Sequence, residues 1–70
     1  MYKIKASMAG SVWKVLVGVG EQVEEGQDVV ILESMKMEIP IAAEGTGEIK
    51  VIHINEGDFV NEDDVLIELE

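Results

Sequence analysis

Displaced by 37 residues, the sequence overlays itself without a gap. Ala6, Gly10, Gly20, Val23, Glu25, Leu32 and Glu33 fall on Ala43, Gly47, Gly57, Val60, Glu62, Leu69 and Glu70. Val12, Val15, Val17, Val29 and Val30 fall on Ile49, Ile52, Ile54, Leu66 and Ile67. Each half thus reads glycine, apolar residues at +2, +5 and +7, glycine at +10 and an apolar residue at +13. A solenoid needs at least about three such units to bury its faces. Two units predict one core built from two symmetry-related halves.

Within each half the spacing is that of strands. Val15 and Val17 alternate at period two, as do Ile52 and Ile54, the mark of a half-buried strand. The steps from Val12 to Val15 and from Ile49 to Ile52 are odd, so the apolar face changes side partway along. A bulge does this, and it lets one long strand serve two packed sheets. The segments 20–26 and 57–63 read as turns around short extended pairs near Val23 and Val60, with Asp63 standing where the first half has Gly26. Both residue types tolerate the left-handed backbone a reversal needs. Strands are expected over 2–6, 11–18, 28–34, 37–42, 47–55 and 64–69, making eight with the short pairs, and no helix. Pro40 fits the arm 37–42 only if that arm is an edge and its nitrogen points away from the neighbouring strand. Seventy residues make one domain, 1–70, near the lower size for folding without staples. With no cysteine, stability rests on the 47% of hydrophobic residues, dominated by valine and isoleucine, which suit a pleated sheet.

Between the two halves lies Glu33-Ser34-Met35-Lys36-Met37-Glu38. A turn between strands ordinarily recruits Gly, Asn, Asp or Pro, and none is here, so a presented amine is the better reason for this sequence. A pseudo-two-fold relating the halves puts this hairpin at one pole and the chain ends at the other, far from any tether. If the arms stay extended to the tip, alternation puts Met35 and Met37 on the face opposite Lys36. Partner recognition is the stronger reading for these methionines, with partial core packing beside it.

Other chemistry finds little support. A formal charge of −10 opposes binding to nucleic-acid phosphates and to anionic membranes; it describes a solvated acidic coat or steering towards basic clefts. No apolar run approaches membrane-spanning length and no leader-like segment precedes the first strand pattern, which reads as cytoplasmic. One histidine, His53, makes neither a metal site nor a nucleophile–base pair and reads as structural. The acidic clusters around Glu24 and Glu62 lack calcium-loop spacing. Gly18-Val19-Gly20 lacks the following helix of a nucleotide fingerprint. Trp13 corresponds to Lys50 and is expected on a solvent-facing or edge position, packing on the sheet face, with partner contact as the second reading.

The six central residues resemble the biotin attachment signature, usually Glu-Ala-Met-Lys-Met. The Gly20–Gly26 spacing and the stretch Gly47–Asp58 are similar to the flanks of biotinyl and lipoyl domains. The resemblance covers essentially the whole chain. It implies an all-β flattened barrel, or barrel-sandwich hybrid, of two four-stranded antiparallel sheets with the lysine at an exposed hairpin tip. It further implies a non-catalytic biotin carboxyl carrier, modified on Lys36 by a biotin protein ligase through biotinyl-adenylate. Such a carrier shuttles carboxybiotin between a biotin carboxylase and a carboxyltransferase. Glu33, Ser34, Met35, Met37 and Glu38 would then serve ligase and partner recognition. The chemistry agrees: an exposed lysine amine generally titrates near about 10.4, so the enzyme must activate the acyl group and deprotonate the amine. Ser34 replaces the usual Ala, and Ala6-Ser7-Met8-Ala9-Gly10 lacks the prolines common in the family. No insertion interrupts the first half, as in thumbless carriers. A lipoyl carrier is the nearest alternative, but its tip is usually Asp-Lys-Ala, and Met35 and Met37 favour biotin. An unmodified barrel-sandwich adaptor is the alternative from another class.

Overall fold

Period-two patterning in both halves becomes two sheets packed through their valine and isoleucine faces. The computed structural model describes residues 2–70. Its strands are β1 Tyr2–Lys5, β2 Gly10–Val15, β3 Gln22–Val23, β4 Asp28–Ser34, β5 Met37–Ala42, β6 Gly47–Ile52, β7 Phe59–Val60 and β8 Val65–Leu69. One sheet has the order β1-β8-β6-β3 and the other β5-β4-β2-β7, all neighbours antiparallel. The 37-residue displacement converts the first order into the second. No helix among the described residues is long and apolar enough to cross a membrane.

The pseudo-two-fold extends to single hydrogen bonds. Leu16 N donates to Val29 O as His53 N donates to Leu66 O, and Gly20 N to Ile49 O as Gly57 N to Val12 O. The core follows suit. Ile4, Ala6, Val12, Val23, Val29, Val30 and Leu32 are buried together with Ile41, Ala43, Ile49, Val60, Leu66, Ile67 and Leu69. Each member of the first group is the mate of one in the second, and among the described residues no polar or charged one is buried with them. Burying such a set is the main favourable term available to so small a chain.

The odd spacing in the sequence is a bulge. Register shifts between Val12 and Lys14 against β4, and between Ile49 and Val51 against β8. The strands expected over 11–18 and 47–55 nevertheless end at Val15 and Ile52. Beyond those points the chain leaves its ladder to cross between sheets, so the change of sheet occurs in the connections rather than within the strand. Val15 N is taken up there by the Glu56 carboxylate, at 3.1 Å. Gly20, Gly26, Gly57 and Asp63 all have positive φ, with Asp63 in the role its alignment to Gly26 predicts.

Strand β5 is an edge. In a hairpin closed by the Ser34–Met37 pair, hydrogen-bonded and non-hydrogen-bonded pairs alternate. Pro40, opposite Ile31, falls in a non-hydrogen-bonded pair, so its nitrogen faces the open side as its placement requires. The lysine pole and the opposite pole are joined by the first extended segment. It starts at Gly10 beside Ser34 and by Gly20 has reached Ile49, the register partner of Leu69. The hairpin and the β1–β8 ends therefore occupy opposite ends of a body 31 Å long.

Candidate functional site

Strands β4 and β5 meet in a two-residue turn whose central residues are Met35 and Lys36. Their φ values are +52° and +65°, the type I′ geometry that matches strand twist and that favours Asn-Gly. Neither residue suits it: left-handed backbone costs an ordinary L-residue roughly 1–2 kcal/mol. The expectation that extended arms set both methionines opposite Lys36 is therefore corrected. Met35 belongs to the reversal itself, where alternation no longer applies. Partial burial fails as well: Met35 is 91% and Met37 63% exposed, and Lys36 is exposed between them.

The base of the hairpin is clasped against β2. A Cβ on Gly10 would lie 2.9 Å from the Glu33 carbonyl oxygen and 3.5 Å from the Ser34 Cβ. Gly47 meets Glu70 O at the other pole at the same distance. Ser34, beside Gly10, is half-buried. Gly10→Ala is expected to cost about 1–3 kcal/mol by overpacking. Gly18→Ala, which meets nothing within 4 Å and needs no positive φ, should be neutral or gain up to about 1 kcal/mol. Urea unfolding of the two variants side by side checks the contrast.

Glu33 and Glu38 lie directly opposite each other one step from the turn, both exposed. Like charges so placed repel, and they give the hairpin an acidic collar. Among the described residues the ion pairs are formed by Lys50 and His53, not by Lys36. Lys50 Nζ lies 3.2 Å from Glu70 and 3.7 Å from Glu48. Its hydrogen bond to Glu70 and the neighbouring Glu48 charge raise its pKa above the ordinary lysine value. Lys14 Nζ stands 5.5 Å from the Trp13 ring centroid, a cation–π distance.

His53, just past β6, is bound to Glu68 of the neighbouring strand β8 in the sheet that does not carry Lys36, a structural role, so it supplies no base to the tip. No group of His, Asp and Glu among the described residues could hold a metal ion. What the hairpin offers is a primary amine without an ion-pair partner, on a short turn between paired strands, beside two exposed thioethers. That donor set fits a cofactor bearing a carboxylic acid, joined through an amide. Sequence reasoning placed every member of the segment 33–38 at the hairpin. It missed Gly10 as the residue that seats it, although the alignment of Gly10 with Gly47 was the available signal.

Known proteins are similar to this chain in sequence and fold. The profile of the biotin/lipoyl family, described as "Biotin-requiring enzyme", matches residues 2–69. A biotin/lipoyl attachment protein of Bacillus subtilis is 59% identical over 66 residues, covering 94% of this chain and 90% of that protein. A biotin carboxyl carrier protein of Streptococcus mutans is 48% identical over 62 residues, and the match covers 89% of this chain but 48% of the carrier. Among solved structures, the urea carboxylase of Kluyveromyces lactis superposes with a TM-score of 0.92 at 30% identity. That match covers 99% of this chain and 6% of the carboxylase. The lipoyl domain of the 2-oxoglutarate dehydrogenase complex from Azotobacter vinelandii superposes at 0.76 and 28% identity, over 96% of this chain and 95% of the domain. By sequence along nearly its whole length, and by its two four-stranded sheets, the chain belongs to the biotin/lipoyl attachment family.

Proposed function

We propose that the chain is a biotin carboxyl carrier, modified on the Lys36 amine and without catalytic activity of its own. One observation carries the reading. The apex of the hairpin is a strained Met-Lys pair in a turn that Asn-Gly would close at lower energy. Strain kept at an exposed apex is accounted for by a task performed there.

The hairpin's contribution is presentation. A turn between paired strands fixes the lysine Cα better than a mobile loop does, while the flexible stem carries the amine into an active site. Attachment forms an amide from the amine nitrogen and an activated carboxyl carbon, with loss of a proton from nitrogen and of the activating group from carbon. The tip supplies no base beyond the Glu33 and Glu38 carboxylates, so the ligase takes up that proton. Met35 and Met37 offer adaptable apolar contacts to differently shaped partners, and Ser34 keeps the hairpin base narrow. Bound biotin would supply the carboxyl-carrying chemistry, and the domain would present it in turn to a biotin carboxylase and a carboxyltransferase. The carrier named in Streptococcus mutans and the matching segment of urea carboxylase support such partners.

The likeness to a lipoyl domain makes lipoate the reading to test against. Purified chain is incubated with biotin protein ligase, biotin and ATP, and separately with lipoate and a lipoyl ligase. Intact mass and peptide mapping are expected to find one biotinyl group, on Lys36. Modification by lipoate alone would overturn the assignment.

A further inference from the structure

The pseudo-two-fold supplies an internal control, because each outward position of one sheet has a mate on the other that satisfies the same fold. On the lysine-bearing sheet, Trp13 and Lys14 at the bulge stand opposite Ile31, and Ile31 stands opposite Pro40. Phe59 lies two residues nearer the tip, across from Ser11 and in line with Glu33 and Glu38. Trp13 is 42% exposed and Phe59 66%, Pro40 is exposed and Ile31 half-buried. Displaced by 37 residues, Trp13, Ile31, Pro40 and Phe59 become Lys50, Glu68, Lys3 and Gln22. The same backbone thus accepts charged or polar side chains at all four places. The fold does not require the apolar row; it is an addition confined to the sheet that carries Lys36.

The acidic collar marks the partner's charge. Glu33 and Glu38 share this outward face with the apolar row, in a chain of formal charge −10, so the matching surface is apolar and edged by basic side chains. Reach marks which partner it is. A lysine stem extends roughly 6 Å from its Cα, so an enzyme acting on the bare amine must bring its catalytic centre against the hairpin. Its walls then overlie the next few rungs, and the Ile31–Pro40 rung lies roughly 14 Å from the apex. An enzyme that meets the lengthened, modified arm needs no such approach. We propose that the outer face bearing Trp13, Ile31, Pro40 and Phe59 is the docking surface for the ligase that acylates Lys36. The proposal rests on the attachment reading above.

The symmetry also supplies the variant. Trp13→Lys, Ile31→Glu, Pro40→Lys and Phe59→Gln each install the mate that the fold already carries, and their charge changes nearly cancel. In steady-state biotinylation the quadruple variant is expected to raise KM for the carrier at least about tenfold, with kcat within about twofold. Val51→Lys on the opposite sheet should leave both constants unchanged. Circular dichroism and thermal melting verify folding. Should the quadruple variant not fold, Trp13→Lys with Phe59→Gln, both at exposed positions, is expected to raise KM at least about threefold. An unchanged KM, or a fall in kcat alone, overturns the proposal while the attachment reading stands. An unchanged KM together with loss of a dimer in sedimentation assigns the face to a second copy of the chain, and overturns it equally. A parent chain that no biotin ligase modifies removes the attachment reading and this proposal with it.

Discussion

Lys36→Arg is expected to lower covalent labelling by at least about a hundredfold, with the melting temperature staying within about one degree of the parent. Arginine keeps the charge and a long flexible stem, but its guanidinium stays protonated throughout the accessible pH range and is no acyl acceptor. The expectation is sharp because exposure does not single out Lys36. Lys3, Lys5, Lys14 and Lys50 are all exposed as well. Lys50 is engaged by Glu70 and Glu48, and Lys14 leans over Trp13, but Lys3 and Lys5 have open amines on an edge strand. A ligase reading accessibility alone would therefore retain much of its yield on the variant. One reading the hairpin would lose nearly all of it. Streptavidin blotting and intact mass decide, and labelling redistributed over the remaining lysines would rule out Lys36 as the site.

The second large effect is a gain. Met35→Asn combined with Lys36→Gly gives the turn the pair its backbone favours, removing left-handed strain of about 1–2 kcal/mol at each of two positions. Allowing for the entropy that glycine adds to the unfolded chain, a net stabilisation of about 1–3 kcal/mol is expected. For a domain of this size each kcal/mol moves the melting temperature by roughly 4–8 °C. Under the proposed function, biotinylation is expected to be lost in the same variant. Met35→Asn alone should gain part of the stability, keep the amine, and slow modification through the missing thioether contact. Differential scanning calorimetry gives the first quantity and ligase kinetics the second. A double variant that melts below the parent would show that the apex is unstrained. Natural sequences depart from local preference mainly where a task demands it, and this turn is the clearest such departure in the chain.

The two-sheet architecture was readable because the repeat, the odd apolar spacing and the paired glycines all pointed the same way. Val12 and Val15 announced the bulge, and Gly26 announced the backbone of Asp63. Strand ends were not readable. Residues 16–18 and 53–55 keep an apolar alternation while crossing between sheets, and alternation does not distinguish a ladder from an extended connection. The apex escaped for a related reason: positive φ is signalled by residue type, and Met35 and Lys36 are types that argue against it. The clasp at Gly10 depends on a carbonyl contributed 23 residues later in the chain, a neighbour that local pattern does not reveal. The four outward apolar residues come from strands β2, β4, β5 and β7, scattered in sequence, and become one surface only once register is known.

Pro40, with its nitrogen turned to the open side of β5, leaves the margin beside the lysine short of one backbone donor. A foreign strand laid along that margin finds the ladder interrupted halfway. Copies of this domain that meet edge to edge can therefore separate again, instead of knitting into a continuous sheet. The same margin can meet another surface and part from it again, because Pro40 offers no N–H to hold a strand there.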